Sequence, residues 1–316
     1  MKEIYNIDSD ASLFEELSNG IRLRSIEQKF IYQGEGAKIY YQDKSSNPVY
    51  IGETLVNSDF NNFVNNNIDL KNKISLISLG CGNSETEKYL YNNSNFSNVD
   101  YFGVDASKAM LDLSIENLQD VKSDKKFICS DFTKRAFRLE LREMTKKYNE
   151  RIFAFFSNTF GNIQHTNIID ILSNLLNKGD KIWLDVRLRK GTTIKDDFEI
   201  VNIIAKDIER DETTLNYTRT FREIGMDVSK GELKMSSKKE SSINALKCDF
   251  SFQINEKTKV SIKGDDITIL PGESINLLRI YVYDPDGLIN FFEEHGFNLI
   301  DKQIKGYRGQ FLFEKK

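Results

Sequence analysis

Five short apolar runs, at residues 74–79, 101–104, 126–129, 152–156 and 182–186, alternate with helix signals through the middle of the chain. Runs of this length that are apolar throughout, without a polar face, read as strands covered on both sides. Between them, Ser84 with Glu87 three residues on spells a capping box, and Ser107 precedes a helical stretch to Leu118. Ile168, Ile169, Leu172, Leu175 and Leu176 share one helix face ahead of Gly179. Strand–helix alternation of this kind predicts a parallel sheet with right-handed crossovers, a doubly wound Rossmann-like α/β fold.

The pattern divides the chain. Residues 1–70 carry a helical period at 11–23 and read as a helical N-terminal segment; 71–190 hold the α/β pattern. Residues 191–275 are charged, Lys/Ser-rich and broken into short alternating segments such as 248–252 and 260–262, which predicts an inserted α+β domain. The α/β pattern is expected to resume over 276–316. There, 277–283 read as a strand, Asp284-Pro285 opens a helix, Gly296 stops it, and two strands follow at 297–304 and 310–314. With 39% hydrophobic residues, 22 Phe and 13 Tyr in 316 residues, there is ample material for packed cores.

Charge and cysteine usage exclude several classes. A net charge of −4 offers no global attraction to nucleic acid or an anionic membrane, and no run is apolar for the ~18 residues of a membrane span. Cys81, Cys129 and Cys248 are too scattered for a disulfide framework or a CxxC metal site, so a reducing, cytoplasmic setting without a metal is expected.

The chemistry concentrates at strand ends. Ser78-Leu79-Gly80-Cys81-Gly82-Asn83-Ser84 is a strand running through Gly-x-Gly into a helix, where small residues let the backbone approach a ligand. Asp105-Ala106 ends the next strand, and an acid there can accept from both hydroxyls of a ribose. The third glycine of a dinucleotide fingerprint is replaced by Glu85, whose carboxylate would repel a pyrophosphate; S-adenosylmethionine (SAM) fits and NAD does not. Asp131-Phe132 follows the third strand, where an acid can meet the adenine amino group and an aromatic can lie on the ring. Taken singly, Asp105 also suits an N-cap and Asp131 a turn. Ser157-Asn158-Thr159-Phe160-Gly161-Asn162 follows the fourth strand, with Ser157 and Gly161 on the cofactor side and Asn162 toward a substrate. His165 reads as a capping or surface residue rather than a base.

These motifs resemble class I SAM-dependent methyltransferases and, more narrowly, the histidine-specific N-alpha-methyltransferase family of ergothioneine synthesis. That family's Gly-Ser-Thr-Ile-Gly-Asn is similar to Ser157-Asn158-Thr159-Phe160-Gly161-Asn162, and its Gly-Glu-x-Ile to Gly272-Glu273-Ser274-Ile275. The resemblance implies substrate residues at Tyr32, Tyr50 and Asn162. Its imidazole-holding Glu and Ser fall on Leu278 and Ile280, so it also implies an apolar wall and an acceptor other than histidine.

The expectation is a SAM-dependent methyltransferase, acting on nitrogen of a small amine or amino-acid-like molecule. No nucleic acid or membrane partner is expected, and the chain is expected to be a monomer or homodimer. A protein or RNA methyltransferase using the lysines of 230–239 as a binding loop, or a non-catalytic SAM-binding partner, are the alternatives.

Overall fold

The computed structural model describes residues 4–8, 10–46, 63, 66–68, 73–94, 96–189, 194–208 and 210–316. Its main sheet consists of β1 (Ile4–Asn6), β2 (Ile74–Leu79), β3 (Val99–Asp105), β4 (Lys125–Cys129), β5 (Glu150–Phe155) and β6 (Lys181–Arg187), closed by β12 (Phe297–Lys305) and β13 (Arg308–Lys315). Side by side they run β1-β4-β3-β2-β5-β6-β13-β12. The first six are parallel and the last two antiparallel to their neighbours. This is the Rossmann-like class I methyltransferase sheet expected from the sequence. Strand order reverses between β2 and β5, the switch point at which open α/β sheets place their ligands.

Apolar residues on both strand faces are covered, which is why these runs lack a polar face. Ile77, Val104, Phe153 and Leu184 pack with Leu172 of α6 (His165–Leu175) and Phe292 of α10 (Pro285–Glu294). On the opposite face Leu76, Tyr101, Phe127 and Trp183 meet Leu90 of α3 (Glu85–Asn93) and Leu111 of α4 (Lys108–Asn117). Two helix starts follow the sequence: Ser107 Oγ accepts from Met110 N, and Asp284 Oδ1 accepts from Gly287 N with Pro285 in the first turn. α5 (Arg135–Thr145) completes the set on the Leu172 face through Phe137 and Leu141.

The Ser84/Glu87 capping box does not form. Ser84 adopts a left-handed φ of 57° and its hydroxyl meets Tyr101 and Ser114, while Glu87 turns inward to accept from Ser78 Oγ. Buried hydroxyls at the head of α3 compete successfully for both side chains.

After β6 come α7 (Ile194–Ile208), α8 (Asp211–Tyr217), α9 (Arg219–Glu223), β7 (Gly231–Glu240), β8 (Ala245–Ile254), β9 (Thr258–Ile262), β10 (Asp265–Ile269) and β11 (Ser274–Tyr283). Two sequence readings are corrected here. The strand read at 277–283 pairs antiparallel with β8 in a sheet ordered β11-β8-β7, and among the described residues it meets the main sheet's strand continuation through the bridge Leu188–Tyr283. The lysines of 230–239 lie largely on β7 rather than on a loop, because Leu233 and Met235 alternate into the adjoining core and draw the segment into pairing with β8.

That core is shared with the N-terminal segment. α1 (Asp10–Arg22) contributes Leu17 and Ile21, and the 3-10 turn Gln28–Tyr32 contributes Phe30 and Ile31; they pack with Ile204, Phe221, Phe250 and Ile280. α2 (Glu35–Ser46) follows. β1, absent from the sequence reading, adds to the edge of β4. Three residues with one buried apolar side chain at most carry too little pattern to announce a strand.

Candidate active site

The carboxyl ends of β2, β3, β4 and β5, the N-terminal segment and the β11-β8-β7 sheet enclose a cavity of about 760 Å³. Gly80, Cys81, Gly82, Asp105, Ala106, Asp131, Phe132, Ser157, Tyr32 and Asn162 all line it. Gly161 does not: it lies beneath, where an added Cβ would sit 2.5 Å from the Asn158 amide. Tyr50 lies outside the described residues.

The glycine turn has separate reasons at its two ends. Gly80 has φ +70°, and a Cβ there would come within 2.6 Å of the Thr159 methyl, so the β2 and β5 loops touch through it. Gly82 has φ +53° with nothing within 4 Å of a Cβ, which leaves bare backbone facing open space. Its N–H donates to Asp105 Oδ2 at 3.0 Å, and Ser107 N donates to Oδ1 at 2.8 Å. Each carboxylate oxygen keeps a lone pair for a ribose hydroxyl.

Burial pushes Asp105 up to about 6, against the lowering effect of the Ser107, Gly82 and Ala106 N–H groups. Hydroxyl donors favour the ionised form, so a bound ribose lowers that value. Affinity for S-adenosylhomocysteine (SAH) is therefore expected to be full above pH 6. It should fall as pH drops through 6, approaching about tenfold per pH unit. Calorimetry between pH 5 and 8 reads this directly, and a flat profile contradicts it.

At the end of β4, Asp131 Oδ1 accepts from Thr133 N at 2.9 Å and Thr133 Oγ1 at 2.6 Å, while Oδ2 lies 2.6 Å from Lys29 Nζ. Burial alone would raise Asp131; the Lys29 ammonium holds it below its ordinary value. Lys29 also pairs with Glu16 and Glu27, so the three carboxylates converge on one ammonium that ties the N-terminal segment to the end of β4. Phe132 packs edge-on against Phe155 at 6.0 Å. Lys29 is not signalled in the sequence, since its partner is 102 residues away.

Beyond β5 the cavity is built on a strained turn. Ser157 and Asn158 both take positive φ, 52° and 65°. Asp185 holds them: Ser157 N donates to its Oδ2 at 3.0 Å and Asn158 N to its backbone oxygen at 2.9 Å, with Arg308 paired to the carboxylate from β13. Asn162 thereby faces the cavity together with Tyr32, whose hydroxyl accepts from Gln28 Nε2 at 2.6 Å.

Opposite them stand Asn276, Leu277, Leu278 and Arg279 of β11, with Asp249 of β8. Leu278 and Ile280 both pack into the neighbouring core, paired with Phe250 and Cys248, and of the two only Leu278 also lines the cavity. Arg279, which that reading passed over, lines the cavity. His165 is neither surface nor base: it is buried, its Nε2 lies 2.8 Å from Tyr283 Oη, and burial, then Arg279, push it down to about 3.

Among known proteins, a family model described as histidine-specific methyltransferase, SAM-dependent, matches residues 11–194, more than half of the chain. No curated protein matches. Among solved structures, a SAM-dependent methyltransferase from Clostridium acetobutylicum is similar at 10% identity and TM-score 0.40, covering 97% of this chain and 99% of that one. Another from Anabaena variabilis gives 10%, 0.49, 100% and 99%, and the CcbJ methyltransferase from Streptomyces caelestis gives 14%, 0.43, 86% and 98%. Likeness at these scores is general resemblance and no more.

Proposed function

The chain belongs to the histidine-specific, SAM-dependent methyltransferase family, and on that premise we propose that it transfers a methyl group to the nitrogen of a small amine or amino-acid-like acceptor other than histidine. Membership fixes the donor and the reaction type, while the acceptor is set by local side chains. The observation that carries the reading is the deep cavity over the switch point. Its volume of about 760 Å³ lies within the ~300–1,000 Å³ of small-molecule sites, room for a donor and a compact acceptor together.

The residues present fit the donor. Gly80 and Gly82 admit close backbone approach, Asp105 suits the ribose, and Asp131 with Phe132 suits the adenine. When bound, SAM supplies an electrophilic methyl on a sulfonium. The chain's share of the work is positional, since an in-line displacement gains most from holding a neutral nitrogen lone pair at the right distance and angle. Asn162 and Tyr32 face the space beside the Ser157 turn and orient that nitrogen, with the Gln28 amide fixing the Tyr32 hydroxyl.

Histidine is disfavoured because Leu278 cannot accept from an imidazole N–H, and each unpaired N–H costs roughly 1 to 3 kcal/mol. Incubating the protein with SAM and a panel of amines, amino acids and peptides tests the reading. SAH release with a methylated small amine is expected. A histidine kcat/KM near ~10⁴ M⁻¹s⁻¹, or methylation confined to peptides, overturns it.

A further inference from the structure

The cavity wall holds two cationic side chains, Lys29 and Arg279, and they are in opposite situations. Lys29 is spent on Asp131, Glu16 and Glu27. Arg279 is half-buried yet forms no ion pair among the described residues; it reaches Gln164 Oε1 at 3.5 Å, at the edge of hydrogen-bond range, and the Tyr281 hydroxyl on its own strand. Its cross-strand neighbour Asp249 does not neutralise it, because that carboxylate sits 2.8 Å from Lys247 Nζ. Asp170 also lines the cavity but is solvent-exposed. A half-buried guanidinium at a cavity wall, without a carboxylate paired to it, is free to take one from a ligand. Its planar fork matches a carboxylate's two oxygens.

Resting on the reading of the acceptor as a small amine, we propose that Arg279 binds a carboxylate carried by that acceptor, which makes the substrate class an amino acid or another amine bearing an acid group. Arg279 is then a specificity residue: it selects acceptors by charge and takes no part in the displacement. The bulge between Asn276 and Leu278 is what makes this possible. It breaks the alternation of the strand, so that Leu277, Leu278 and Arg279 line the cavity in succession.

The test uses pairs of amines that differ only in carboxylate against carboxamide: glycine and glycinamide, alanine and alaninamide, aspartate and asparagine, glutamate and glutamine. Calorimetry measures each against the SAH-loaded protein, its Arg279→Met variant and its Arg279→Lys variant. In at least one pair the carboxylate should bind more tightly by about tenfold or more. That preference should vanish in Arg279→Met and survive in part in Arg279→Lys, with SAH affinity the same in all three proteins. Absence of carboxylate preference in every pair overturns the proposal, as does a preference that Arg279→Met leaves intact. A loss of SAH affinity in Arg279→Met also overturns it, because the guanidinium would then serve the donor's own carboxylate. If the preference appears but none of the amines releases SAH from SAM, the proposal about Arg279 stands and the reading of the acceptor as an amine falls.

Discussion

Arg308→Met is expected to destabilise the protein by about 3 to 5 kcal/mol, the cost of leaving a buried charge without its partner. Arg308 on β13 is buried and pairs with Asp185 on β6, itself only 5% exposed. With the guanidinium gone, the Asp185 carboxylate keeps one hydrogen bond, from Ser157 N, and has no water to turn to. In a chain of this size that loss lowers the thermal midpoint by roughly 5 to 8 °C. The double variant Arg308→Met with Asp185→Asn removes the stranded charge and should recover part of the loss, so the two changes are non-additive. Scanning calorimetry of the three variants settles this: a single variant that melts with the parent protein shows that the pair contributes nothing. Activity is a second readout, since Asp185 carries the left-handed Ser157-Asn158 turn that presents Asn162.

The same residues explain what the sequence could and could not announce. Strands covered on both faces leave an unbroken apolar run, and Gly80, Gly82 and Asp105 stand close to one another along the chain in the order in which they meet in space. These were readable because their signals are local. Ser84 and Glu87 matched a local capping pattern yet were diverted by Tyr101, Ser114 and Ser78, whose nearness depends on the finished sheet. Lys29 and Arg279 face the same limit, since a lone cation has no signature until its carboxylates are brought near or kept away. On β11, Leu278 and Ile280 do share one face, as spacing two predicts, but that face packs with Val282 into the adjoining core, and of the two only Leu278 reaches the cavity.

Asp105→Ala is expected to weaken SAH binding by about 1.5 to 3 kcal/mol, the range for hydrogen bonds to a charged group, or roughly 10- to 150-fold. Two effects contribute and can be separated. Asp105 accepts from Gly82 N and Ser107 N, so alanine also loosens the turn that shapes the cofactor floor. Only the ribose contact, however, depends on the ligand's hydroxyls. Binding of SAH should therefore be compared with that of its analogue lacking the 2′-hydroxyl, in both proteins. In the parent the analogue should bind more weakly; in Asp105→Ala the two ligands should bind alike, because the acceptor for that hydroxyl is gone. An equal loss for both ligands, with the parent's discrimination preserved, assigns Asp105 to the turn alone, and unchanged affinity removes it from the site. The pH profile provides an independent check, since the fall in affinity below pH 6 has its origin in this carboxyl and should be absent once it is replaced.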